Sequence, residues 1–127
     1  MLATSGAFHT PLMQRAATQL RDYLETVEFS DPRIPLISNV DSKPMTKDAA
    51  IDQLTRHLTT PVYFYQSVEA LKQAGATHFV EIGFGGVLFG LLKRIDKELE
   101  RSQIHDKQSL EMYIADVSSD FGDRAQR

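Results

Sequence analysis

The stretch His78-Phe79-Val80-Glu81-Ile82-Gly83-Phe84-Gly85-Gly86-Val87-Leu88-Phe89-Gly90-Leu91-Leu92-Lys93-Arg94-Ile95 decides the fold class. Residues 78–82 form a short apolar run that ends at glycine, which predicts a strand. Gly83-Phe84-Gly85-Gly86 predicts a sharp turn. Beyond it Val87, Leu88, Leu91, Leu92, Ile95 and Leu99 fall on one wide face at helical spacing, so a helix is expected over 87–99. A strand, a tight turn and a helix in succession are the makings of a parallel sheet.

Toward the N-terminus the same reading gives a helix over 64–74, with Val68 and Leu71 inward and Gly75 as its C′ residue. Val62-Tyr63-Phe64 is an extended link. A helix is expected over 47–59, capped by Thr46, with a stripe of Ile51, Leu54 and Leu58. It stops at Thr59-Thr60-Pro61, because the residue before proline avoids the helical region. Asp41 to Pro44 reads as a loop, and residues 35–40 as a short strand that tolerates Pro35 only at its first position. The first helix is expected over 11–27, with Thr10 as N-cap, Pro11 at the first position and Leu12, Ala16, Leu20, Leu24 and Val27 as its stripe. Toward the C-terminus, residues 100–109 read as a polar loop, Met112–Val117 as a final strand and Ser118–Arg127 as a frayed tail. The class is α/β. Residues 1–100 form the main segment, and 101–127 a polar tail with one strand. Two or three strands are few for a parallel sheet, which needs both faces covered, so part of a larger sheet is expected.

Composition excludes several functions. The chain has 127 residues, 42% hydrophobic and 24% charged, with 14 basic and 17 acidic residues for a net charge of −3. That balance gives no broad basic surface for nucleic acid. The chain has no cysteine, hence no disulfide, zinc-thiolate site or cysteine nucleophile. No run approaches the ~20 apolar residues of a membrane span, and no signal peptide is evident. A cytoplasmic location is the expectation.

Ser5-Gly6-Ala7-Phe8-His9-Thr10-Pro11-Leu12-Met13 places His9 at the mouth of the first helix. Two readings stand side by side: a capping or surface residue, or a general base that accepts a proton when neutral. His57, His78 and His105 make no helical H-x-x-x-H pair, so no metal site is expected. His57 is expected on the polar side of its helix terminus. The glycines at 83, 85, 86 and 90 follow a strand, as a phosphate loop would. The dinucleotide pattern needs glycine where Leu88 stands, so a structural corner is the expectation. No serine lies in a G-x-S-x-G elbow.

Four ordered blocks carry a family resemblance over about residues 2–97. Gly6-Ala7-Phe8-His9-Thr10-Pro11-Leu12-Met13 resembles the active-site histidine motif of malonyl-CoA:acyl carrier protein transacylases. Ile34 to Val40 is similar to that family's P-V-I-S-N-V strand. Leu58 to Val68 is similar to its Q-L-x-x-P-V-x-W-x-x-S-V stretch, and Phe79 to Ile95 to its F-V-E-I-G-P-G segment.

The resemblance implies the C-terminal part of an α/β-hydrolase-like large subdomain, with a few parallel strands flanked by helices. It implies acyl transfer in fatty acid synthesis. A serine takes malonyl from malonyl-CoA and passes it to the phosphopantetheine thiol of acyl carrier protein, with no cofactor. His9 takes the family's catalytic histidine position. The backbone carbonyl of His57, where the family usually has Gln, would orient it. Phe8 resembles the form associated with malonyl selection. Phe84 and Gly86 stand where the family usually has Pro and Lys or Arg. The family's G-H-S-x-G serine, malonyl-binding arginine, N-terminal Gln-containing loop and ferredoxin-like subdomain lie outside these residues. The chain alone is therefore expected to show little or no transfer. Two alternatives follow: one half of a split enzyme that binds a separate serine-bearing chain, or an inactive remnant.

Overall fold

A computed structural model describes residues 6–124, with side chains through residue 118; residues 1–5 and 125–127 lie outside the described residues. The chain divides into two units, Met1–Ala74 and Gly75–Arg127.

In the first unit a 3-10 turn, Pro11–Met13, leads into helix α1 (Gln14–Leu24). The Thr10 side chain does not cap it; its hydroxyl donates instead to the Ala7 carbonyl at 2.7 Å. α1 ends at Leu24, short of the expected Val27, because the last residues close with i→i+3 bonds from Thr26 and Val27. Helix α2 (Lys47–His57) starts as expected, with Thr46 Oγ1 accepting from the Ala49 N–H at 3.3 Å. Helix α3 (Phe64–Gln73) follows, and Gly75 leaves it at φ 95.

α1 packs on α2 through small side chains. Ala17 is 1% exposed and Ala50 3% exposed, with Leu24, Gln53 and Thr55 also buried. The expected stripes were therefore partly misplaced. Leu12 is 82% exposed, and Ile51, Leu54 and Leu58 are only half-buried. Small residues win the interface because they let the two backbones approach. Arg21 and Arg56 each reach Asp52 at 3.3 Å, on the exposed flank where such pairs contribute little.

The strand expected over 35–40 does not form. Only a bridge between Ile37 and Pro44 is present. The chain folds straight back: Ser38 N–H donates to the Lys43 carbonyl at 2.9 Å, and Met45 N–H to the Leu36 carbonyl at 2.8 Å. A tight loop thus takes the hydrogen bonds that a neighbouring strand would have used. Val40 and Ser38 are buried in it, and Ser42 turns the chain at φ 58.

The second unit is a β-α-β unit. Strand β1 (His78–Ile82) forms as expected and pairs in parallel with strand β2 (Glu100–Ile104), from His78 opposite Glu100 to Ile82 opposite Ile104. Helix α4 (Val87–Ile95) connects them and packs on both. It stops four residues before Leu99, since Asp96 is extended at φ −153. β2 lies in the segment expected to be a polar loop. Glu100-Arg101-Ser102-Gln103 has little strand propensity, and its partner β1 imposes the conformation.

Met112–Val117, expected as a strand, lies within helix α5 (Lys107–Arg124), which packs on β2. The frayed tail expected from Ser118 is helical as far as Arg124. Leu110, Tyr113, Ile114 and Val117 are spaced i, i+3, i+4 and i+7, a helical stripe that alternation over a shorter window obscured. Its start is capped reciprocally: Ser109 N–H donates to Asp106 Oδ1 at 2.7 Å, and Asp106 N–H to Ser109 Oγ at 3.0 Å. The backbone and hydroxyl donors of Ser109 hold the Asp106 carboxyl below its usual range.

Glu81 joins β1 to α4. Its two carboxylate oxygens accept from the Leu88 N–H at 3.2 Å and the Phe89 N–H at 2.9 Å, two of the unpaired donors at a helix start. Glu81→Ala should lower unfolding free energy by about 1–2 kcal/mol, the usual loss for such a cap. Glu81→Gln, which keeps one acceptor, should lose less. Urea denaturation followed by circular dichroism checks both.

Candidate active site

His57 is the last residue of α2, so its carbonyl is one of the four that a helix leaves unpaired at its C-terminus. His9 takes it: Nδ1 lies 2.8 Å from the His57 oxygen. A carbonyl oxygen only accepts, so Nδ1 carries the proton. The lone pair of the neutral ring then sits on Nε2, the atom that can receive a proton. The His9 backbone is left-handed, at φ 61, a conformation that costs energy for any residue with a Cβ. The side chain itself is exposed.

His57 meets His9 a second time through its own ring. The two ring centroids are 5.1 Å apart, with planes tilted by 41°. The His57 ring does not face solvent as expected; it is half-buried, and its Nε2 is fully covered without a hydrogen-bond partner. Burial, and then repulsion from the His9 ring when that ring is protonated, lowers the pKa of His57 below 6.5. Sequence reasoning named the carbonyl of residue 57 but missed this ring contact. The two histidines are 48 positions apart, and no local pattern joins them.

Phe8 precedes His9 and is 55% exposed. Its ring folds back over Gly6, where a Cβ would stand 2.8 Å from Phe8 Cε2. Glycine at position 6 is thus what admits this ring position.

The remaining histidines are engaged elsewhere. His78 Nε2 lies 2.9 Å from Ser102 Oγ, and His105 pairs with Asp106 at 3.6 Å. The glycine turn is a structural corner. Gly86 opens α4 in a left-handed conformation, at φ 70, and Glu81 occupies the helix-start N–H groups that a phosphate would need. Phe84 does not crowd the turn; it points outward and is 91% exposed.

Comparison with known proteins shows what the chain as a whole is similar to. Malonyl CoA-acyl carrier protein transacylase of Bacillus subtilis (strain 168) is 39% identical over 114 residues, which is 89% of this chain and 36% of the relative. The crystal structure of malonyl CoA-acyl carrier protein transacylase from Clostridium perfringens superposes with a TM-score of 0.90 at 29% identity, covering 99% of this chain and 40% of that one. A malonyl-transacylase solved in complex with its type II PKS acyl-carrier protein matches at 39% identity and a TM-score of 0.81, over 86% of this chain and 36% of that one. No protein-family model matches. The fold is α/β. The chain is homologous to the C-terminal part of malonyl CoA-acyl carrier protein transacylases. It spans about a third of the length of the curated relatives it matches, 36% of the Bacillus subtilis protein.

The lowered His57 pKa makes stability depend on pH. The folded state binds this proton less well than the unfolded chain does. Its contribution is therefore complete above the ordinary value of 6.5 and is lost as pH falls through the depressed folded value. Urea titrations across that acid range should show stability falling, and His57→Gln should flatten that part of the curve.

Proposed function

We propose that this chain supplies the histidine half of a malonyl-CoA:acyl carrier protein S-malonyltransferase site. The observation that carries the reading is the 2.8 Å bond from His9 Nδ1 to the His57 carbonyl, which leaves Nε2 free to act as a base. In this reading His9 takes the proton of a serine as that oxygen attacks the malonyl thioester. It then gives the proton to the departing coenzyme A thiolate; in the second half it deprotonates the incoming phosphopantetheine thiol, which attacks the malonyl-serine ester, and returns that proton to the departing serine oxygen. The His57 carbonyl holds the tautomer throughout. Phe8, beside the base, restricts room at the α-carbon of the acyl group. The substrate is malonyl-CoA, no cofactor takes part, and the setting we assign is cytoplasmic fatty acid synthesis.

Two facts support the reading: the name shared by the relatives, and the acyl-carrier complex of one structural neighbour. Acyl carrier protein is accordingly the partner we assign. The serine does not come from an elbow in these residues, so it comes from the serine-bearing part of the domain, joined to this chain or separate from it. Ile82, Phe84 and Val87 are exposed, an apolar surface that the serine-bearing part would cover in this reading.

Mixing the chain with the serine-bearing part of the Bacillus subtilis relative, malonyl-CoA and holo-acyl carrier protein tests this. Intact mass should show malonylated carrier protein, and His9→Ala should slow its formation by about 10²–10⁴-fold. The chain alone should gain no stable malonyl adduct. No transfer with a folded partner would leave the remnant reading. Phe8→Ser should raise use of methylmalonyl-CoA relative to malonyl-CoA, measured by competition in the same assay.

A further inference from the structure

The His57 carbonyl is free for a reason that lies four residues further on. In an α-helix the carbonyl of residue i accepts from the N–H of residue i+4. Past the last helical residue of α2 the Leu58 and Thr59 N–H groups close at i−3, on the Thr55 and Arg56 carbonyls, and the i−4 pattern returns at Thr60. The Thr60 N–H donates to the Arg56 carbonyl at 3.0 Å. The next rung would join the N–H of residue 61 to the His57 carbonyl. Residue 61 is Pro61, which has no N–H.

The neighbouring donors do not fill the gap. Thr59 N–H, Thr60 N–H and both threonine hydroxyls converge on the Arg56 carbonyl, at 2.9–3.3 Å. The bond that His57 O does accept is the one from His9. We propose that Pro61 is a positioning residue for His9: by withholding the helical N–H from the His57 carbonyl, it reserves that carbonyl for the imidazole Nδ1–H and so sets the tautomer of the base. Its functional weight rests on His9 being the base, but the bond and the tautomer do not.

The test reads the tautomer directly, on the full 127-residue chain, by nitrogen-15 NMR of the His9 ring. Free histidine in water prefers the proton on Nε2, so an Nδ1–H tautomer at position 9 is a distinctive signature. Pro61 is exposed, so its replacement leaves the packed residues in place. Pro61→Ala restores an N–H. The residue 61 amide should become protected from hydrogen exchange, and the Nδ1–H fraction of His9 should fall several-fold. Replacing Pro61 by lactic acid, an ester with neither N–H nor ring, should keep the wild-type tautomer.

An alanine variant that keeps the tautomer overturns the proposal, because the carbonyl would then serve both donors. Loss of the tautomer in both variants also overturns it, because the proline ring would be responsible. So does loss in the alanine variant with an unprotected amide. None of these readouts involves acyl transfer, so a failed transfer assay and a failed tautomer test are distinguishable.

Discussion

The Nδ1–H of His9 rests on the final carbonyl of α2, and the candidate site is arranged around that bond. It ties a left-handed loop residue to a rigid helix end 48 positions away. The acceptor belongs to the backbone, so the bond makes no demand on which side chain position 57 carries. That freedom lets position 57 carry a histidine. The added ring has a consequence of its own. It lies against His9, gives up solvent, and becomes harder to protonate.

Helix ends do similar work in the second unit with the opposite polarity. The start of α4 offers backbone donors, and Glu81 from the adjoining strand accepts from two of them. The start of α5 is closed by its own Asp106 and Ser109. In each case the unpaired groups that a helix must leave at its ends are answered by a side chain. At α2 the answering group is the imidazole of His9. The same capping physics there holds a proton in a defined place. At α4 it occupies two of the helix-start donors that a phosphate would need.

The apolar pattern of β1, its turn and α4 exceeds what the described residues cover. Leu92 is buried, but Ile82, Phe84 and Val87 are largely exposed. Two parallel strands form one pairing, whereas parallel sheets are ordinarily covered on both faces. The homologous relatives are nearly three times as long as the matched region, which spans 36% of the Bacillus subtilis protein. The side chains are those of a more extensive core than the described residues supply.

The α/β class, the β1–turn–α4 corner, and helices α2 and α3 were legible in the sequence by itself. Each is encoded locally, by a cap, a proline or glycine stop, and a stripe of one period. The family resemblance likewise named His9 and Phe8, from the histidine block, and the carbonyl of His57, from the third block, before any geometry. Tertiary structure decided the rest. β2 is a strand because β1 pairs with it, although its own residues are polar. Residues 35–40 are a folded-back loop because their hydrogen bonds close within that loop. The face of α2 that packs is the one with small residues, since packing rewards close backbone approach over hydrophobicity alone. The His9–His57 ring contact follows from no local pattern. It exists because folding brings a loop to a helix end, and only then do distance and burial set the chemistry of the two rings.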